Sequence, residues 1–143
     1  MADRKYFRFV SCVPLIVLSI VIFTLSHMSR PPMPESGYEF EDKVLHCVAY
    51  FAYGMTVLLA LMVNFPKVSF SKLAMLTLII GGLFGFSDEY HQSFVPNRDS
   101  GIEDWYADIT GIAMSLVTAI PLRKLTGIPR FGFKEEVVEE ETV

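Results

Sequence analysis

Three short stretches of this sequence gather acids, histidines and amides at helical spacing: Asp42, Lys43, His46 and Tyr50; then Asp88, Glu89, His91, Gln92 and, a little further on, Arg98; then Asp104 and Asp108. Carboxylates and an imidazole held together can pass a proton to a substrate, accept its hydrogen bonds, or bind a cation. Lys43 and Arg98 carry the opposite chemistry, a grip on phosphate or carboxylate, with the guanidinium offering two parallel donors. No serine or cysteine stands in a recognisable nucleophile setting, so covalent catalysis has little support. His46, Glu89, His91, Asp104 and Asp108 are ligand types that hold divalent ions. Their spacing matches no metal signature such as H-E-x-x-H, so no metal and no other cofactor is expected.

Each polar stretch adjoins an apolar run. The 143 residues are 52% hydrophobic and include 12 phenylalanines, and the mean hydropathy is +0.41. A bilayer is therefore the expected solvent. Four spans are predicted, over 9–26, 44–63, 73 to about 86, and 105–122. Each approaches the roughly 20 residues that a helix rising about 1.5 Å per residue needs to cross about 30 Å of hydrocarbon. The third is the shortest unless GFSDEYHQSF, which follows it, continues the helix. The first reads as an uncleaved anchor, because Leu25-Ser26-His27-Met28 offers no small-x-small cleavage site.

The 12 Lys and Arg residues set the orientation. Arg4, Lys5, Arg8, Lys67, Lys72, Arg123, Lys124, Arg130 and Lys134 fall on one side, and only Arg30, Lys43 and Arg98 on the other. The positive-inside rule then places both termini in the cytoplasm and the loops 27–43 and 91–104 outside. The expected fold class is all-α: an integral membrane four-helix bundle, N-in and C-in, with its polar site at the extracytoplasmic end. One domain is expected over 1–134, followed by a disordered acidic tail over 135–143. That tail carries Glu135, Glu136, Glu139, Glu140 and Glu141, which account for the net charge of −4. No basic stripe interleaved with aromatics points to nucleic acid. Cys12 and Cys47 fall near opposite ends of their spans, too far apart for a disulfide.

Local signals refine this plan. Three prolines and a glycine over 30–37 predict an extended outer loop, with Tyr38 and Phe40 at headgroup depth. Asp42 stands where a helix cap is expected, and Ser100-Gly101-Ile102-Glu103 has the form of a capping box. The short link over 65–72 predicts antiparallel neighbours. Gly81 and Gly85 have the spacing that lets helices approach closely in lipid, and their ridge continues to Glu89, Gln92 and Ser93. Asp104, Asp108, Gly111 or Ile112, and Ser115 form a matching stripe, while His46 and Tyr50 face one way with Tyr53 and Gly54 below them. Glu89, Asp108 and His46 are the deepest of the set. Lys43 and Arg98 are expected to pair with its acids, and Asp88 and His91 to do no more than cap and solvate the rim. An Asp, Lys or Arg at a span's centre costs about 2.5–3.5 kcal/mol, and less near its ends. A ring of charges that only caps and ties helices is thus the plainer alternative for Asp42, Lys43, Asp88 and Asp104.

Taken together, Asp42-Lys43-x-x-His46-x-x-x-Tyr50, Glu89-x-x-Gln92-x-Phe94-x-Pro96-x-Arg98 and Asp104-x-x-x-Asp108-x-x-Gly111 resemble the VanZ-like family of small bacterial membrane proteins, named for a teicoplanin-resistance protein. The resemblance covers about 42–115 and leaves out the first span and the acidic tail. It departs at Asp108, where the family often has Asn, and an amide cannot exchange a proton at neutral pH. The resemblance implies a multi-pass protein of the bacterial cytoplasmic membrane with an outward polar site, linked in the named case to lowered teicoplanin susceptibility. The leading expectation is a site that binds an anionic membrane lipid or lipid-linked cell-wall precursor through Asp42, Lys43, His46, Tyr50, Glu89, Gln92, Arg98, Asp104 and Asp108. A membrane-embedded enzyme acting on a lipid-linked substrate, with Glu89, His46 or Asp108 as acid or base or with the assistance of a metal, and a structural membrane scaffold are the alternatives. Nothing in the sequence points to an oligomeric state.

Overall fold

The computed structural model describes residues 2–29, 41–98 and 100–127. The expected outer loop over 30–37, Tyr38, Phe40 and the acidic tail lie outside those residues. The chain forms α1 (Ala2–Ser26), α2 (Glu41–Asn64), α3 (Phe70–Gln92) and α4 (Ile102–Ser115), then a 3₁₀ turn (Leu116–Thr118) and α5 (Ala119–Thr126). Four stretches are long and apolar enough to cross a membrane: Tyr6–Ser26, Asp42–Asn64, Phe70–Gln92 and Ile102–Thr126. Large apolar side chains also cover the outside of the bundle, among them Ile16, Ile20 and Phe23 on α1, Leu83 and Phe86 on α3, and Val117 and Ile120 in the last stretch. In water such a surface would drive aggregation, whereas in hydrocarbon it is the favourable one.

α2 is the central element, packing against every other helix and most extensively against α4. Its buried residues Tyr50, Tyr53, Val57, Leu58 and Met62 form the core with Leu73 of α3 and Ile112 of α4. Glycines allow the close crossings. A β-carbon on Gly111 would collide with the backbone of Cys47 and Phe51, and one on Gly54 with Ser115 and the Ile112 backbone. On α3, Gly81 lies under the Ile112 side chain and Gly85 under Asp108 and Tyr50. The spacing over Gly81 and Gly85 thus brings α3 onto α4, while the α2–α4 approach depends on Gly54 and Gly111.

The third span does continue through the polar stretch to Gln92. Ser93, by contrast, is exposed at its end and does not share the buried face. Asp42 is not a cap: it lies inside the first turn of α2, where its carboxylate still meets the positive end of the helix dipole. The capping box is also absent. Gly101 is the N-cap of α4, with no side-chain cap bond, because Glu103 turns instead to Lys43, 3.1 Å away. The fourth span is interrupted by the 3₁₀ turn, just before Pro121 of α5. Pro121 has no N–H to offer and its ring crowds the carbonyl one turn back, so the tighter turn relieves that conflict.

At the opposite end of the bundle from the three polar stretches, Arg8 donates to the Asn64 carbonyl (3.1 Å), and the Asn64 amide reaches Ser11 (3.3 Å) and Cys12 (3.6 Å). Cys12 is therefore far from Cys47, and both thiols are free.

Candidate functional site

The C-terminal ends of α1 and α3 and the N-terminal ends of α2 and α4 lie at one end of the bundle, and there the polar side chains meet. His46 of α2 presents Nδ1 to Asp108 Oδ1 of α4 at 2.9 Å and to Glu89 Oε1 of α3 at 3.5 Å. All three residues are buried, and Asp108 is 0% exposed. Glu89 Oε2 in turn accepts the Gly101 N–H (3.3 Å), which ties the start of α4 to α3.

A second network lies on the side facing α1. Asp88 Oδ2 accepts from the Ser26 hydroxyl (2.8 Å), the Tyr50 hydroxyl (3.1 Å) and the Gln92 amide (3.2 Å). The same amide also approaches Ser26 Oγ (3.2 Å) and Glu89 Oε1 (3.4 Å). Gln92 Oε1 accepts from Arg98 Nε (3.0 Å). Gln92 thus links the two networks and holds the guanidinium at their edge.

Three buried carboxylate oxygens, Asp88 Oδ1, Asp104 Oδ1 and Asp108 Oδ2, have no hydrogen-bond partner among the described residues. For Asp104 Oδ1 the Lys43 ammonium at 3.6 Å is near enough to attract but beyond hydrogen-bonding distance. A buried polar atom left without a partner costs roughly 1–3 kcal/mol, more when charged. Such an excess of acceptors is what a site for a donor or a cation looks like.

Beside these networks a cavity of about 170 Å³ lies among α1, α2 and α3. Ile22, Leu25, Leu45 and Ala49 make its apolar wall, and Ser26, His46, Tyr50, Asp88, Gln92 and Arg98 its polar part.

Of the sequence-predicted residues, His46, Tyr50, Glu89, Gln92, Asp104 and Asp108 are buried at this end, and Arg98 is half-buried beside them. Lys43 stands further out, between Glu103 (3.1 Å) and Asp104 (3.6 Å). Asp42 is exposed at the rim. Arg98 does not pair with an acid among the described residues, because Gln92 intervenes. Asp88 is no rim group: it is 3% exposed and accepts three hydrogen bonds. His91 is half-buried between Phe23, whose ring stacks on it with centroids 4.7 Å apart, and His27, whose Nδ1 lies 3.2 Å from His91 Nε2. Ser26 was not visible as a site residue, since one serine closing an apolar run carries no pattern. Asp88 did carry a signal, its place one residue before Glu89 on the same helix end.

Compared with family models, curated proteins and solved structures, the chain finds no match.

Proposed function

We propose that this chain is a VanZ-like protein of the bacterial cytoplasmic membrane, with both termini inside, whose outward-facing pocket takes the polar head of an anionic lipid or lipid-linked cell-wall precursor. The observation that carries this reading is a largely apolar cavity of about 170 Å³ with Arg98 and the Asp88–Gln92 network at its border. Ile22, Leu25, Leu45 and Ala49 suit the first carbons of an acyl or prenyl chain, which gain about 0.8 kcal/mol per methylene removed from water. Arg98 supplies the cation for a phosphate or carboxylate, already oriented by Gln92. The free Asp88 Oδ1 accepts from a hydroxyl, amide or ammonium on the same head. The pocket therefore favours heads that carry donors next to their anionic group over a bare anion, which the surrounding carboxylates would repel. By the family resemblance, occupancy of this pocket affects susceptibility to teicoplanin.

Lipid retention tests the reading. Detergent-extracted wild-type protein is expected to carry lipid in native mass spectrometry. Arg98→Ala should weaken retention of anionic phospholipid about tenfold or more, the scale of one lost charge-assisted bond. Ala49→Trp should reduce it by filling the cavity. If both variants fold and hold lipid as the wild type does, the pocket is not the binding site.

A further inference from the structure

Where α2, α3 and α4 meet, beside the pocket that His46 also lines, each helix brings one buried candidate ligand: His46, Glu89 and Asp108. The geometry points to a divalent transition-metal site there, formed by His46 Nδ1, a Glu89 carboxylate oxygen and an Asp108 carboxylate oxygen. These ligand atoms lie within 4.8 Å of one another. At metal–ligand bonds of about 2.0–2.1 Å, neighbouring ligands stand about 2.9 Å apart in an octahedron and about 3.4 Å apart in a tetrahedron. The distances from His46 Nδ1, 2.9 Å to Asp108 Oδ1 and 3.5 Å to Glu89 Oε1, bracket the tetrahedral edge, so His46 and Asp108 would part by about 0.5 Å to admit an ion.

Two further observations ask for a cation. Asp108 is wholly buried, yet its Oδ2 has no hydrogen-bond partner among the described residues. That oxygen lies over Gly85, 3.0 Å from where a β-carbon would be and one turn below Glu89 on α3. The local charge is also unbalanced. Asp88, Glu89, Asp104 and Asp108 are all buried within this end, against Lys43, which Glu103 and Asp104 share, Arg98, which stands at the edge on Gln92, and His46, the one basic group between Glu89 and Asp108. A divalent ion would offset the remaining excess and give Asp108 Oδ2 the partner that no donor among the described residues supplies.

The ligand set selects the metal. An imidazole with two carboxylates suits Zn²⁺ or Mn²⁺ better than Mg²⁺ or Ca²⁺, which prefer oxygen alone. Three protein ligands also leave at least one coordination position for water or a bound atom. H-E-x-x-H spacing is absent because no two of these ligands share a helix.

This inference does not rest on lipid binding, and its test reads metal rather than lipid. Full-length protein in detergent is stripped with EDTA, loaded with Zn²⁺ or Mn²⁺, desalted and analysed for metal. The wild type is expected to retain about one equivalent, and His46→Gln and Asp108→Asn at least about tenfold less, since even outer-shell changes cost tenfold or more. Should those variants fail to fold, the Mn²⁺-loaded wild type still decides, because pulsed electron paramagnetic resonance is expected to show one coupled imidazole nitrogen. Retention below a tenth of an equivalent in the wild type, equal retention in folded variants, or bound Mn²⁺ without nitrogen coupling would each overturn the site. Reloaded wild-type protein that retains no metal yet still holds lipid would overturn the metal site alone and leave the pocket standing.

Discussion

At the level of single residues, Asp88 has the most crowded oxygen and one of the emptiest. Oδ2 accepts from Ser26, Tyr50 and Gln92, while Oδ1 has no partner among the described residues. Asp88→Asn keeps the shape but weakens the acceptor, since a carboxylate takes hydrogen bonds more strongly than an amide oxygen. If the new NH₂ faces Ser26 and Tyr50, donors meet donors. The expected cost is about 1–3 kcal/mol, read as a lower unfolding midpoint in detergent. Tyr50→Phe removes one donor and leaves the acceptor its other two, so it should cost less, about 0.5–1.5 kcal/mol. Equal stability of Asp88→Asn and wild type would mean that these three bonds, of which the Ser26 one ties α1 to α3, do not stabilise the bundle.

At the level of helices, the site depends on how closely α2 and α4 approach. His46 reaches Asp108 only because Gly111, one turn below Asp108, leaves room for the α2 backbone. Gly111→Ala would set a methyl against the Cys47 carbonyl and the Phe51 N–H, main-chain atoms that cannot rotate away. Overpacking of this kind costs about 1–3 kcal/mol. A part of that cost should appear as a wider α2–α4 gap, measurable as a longer distance between spin labels at exposed Val48 and Tyr106. Gly82→Ala is the control, because its methyl would meet only the Ile109 Cδ1 atom (2.8 Å), the mobile end of a side chain. It should be nearly neutral. If the two variants are equally stable and equally spaced, close backbone approach is not what builds the site.

On the scale of the whole molecule, four apolar stretches and an apolar exterior make this a chain suited to a bilayer, with its buried acids and His46 gathered at one end. The distribution of Lys and Arg predicts which side that end faces. A reporter active only outside the cytoplasm should be silent when fused after Gly127 and active when the chain is cut and fused after Met28. The reverse pattern would put the polar end inside and remove the case for an envelope ligand. What the sequence by itself determined are properties of local chain: the number of spans, which follows from apolar run length, and the clustering of His46, Glu89, Gln92, Asp104 and Asp108 at one end, which follows from their places along those runs. A single face of α3 was also legible, because Gly81, Gly85 and Glu89 recur at helical spacing. Only the tertiary structure decided the partners. Asp88 and Glu89 point about 100° apart on one helix, so both can be buried only where neighbours stand on two sides, and α1 supplies the second with Ser26. Arg98 bonds to Gln92, Glu103 leaves its expected cap for Lys43, and Gly111 sets the α2–α4 distance. Each of these depends on which helices are neighbours, and that is settled by packing among residues far apart in the chain, not by spacing along it.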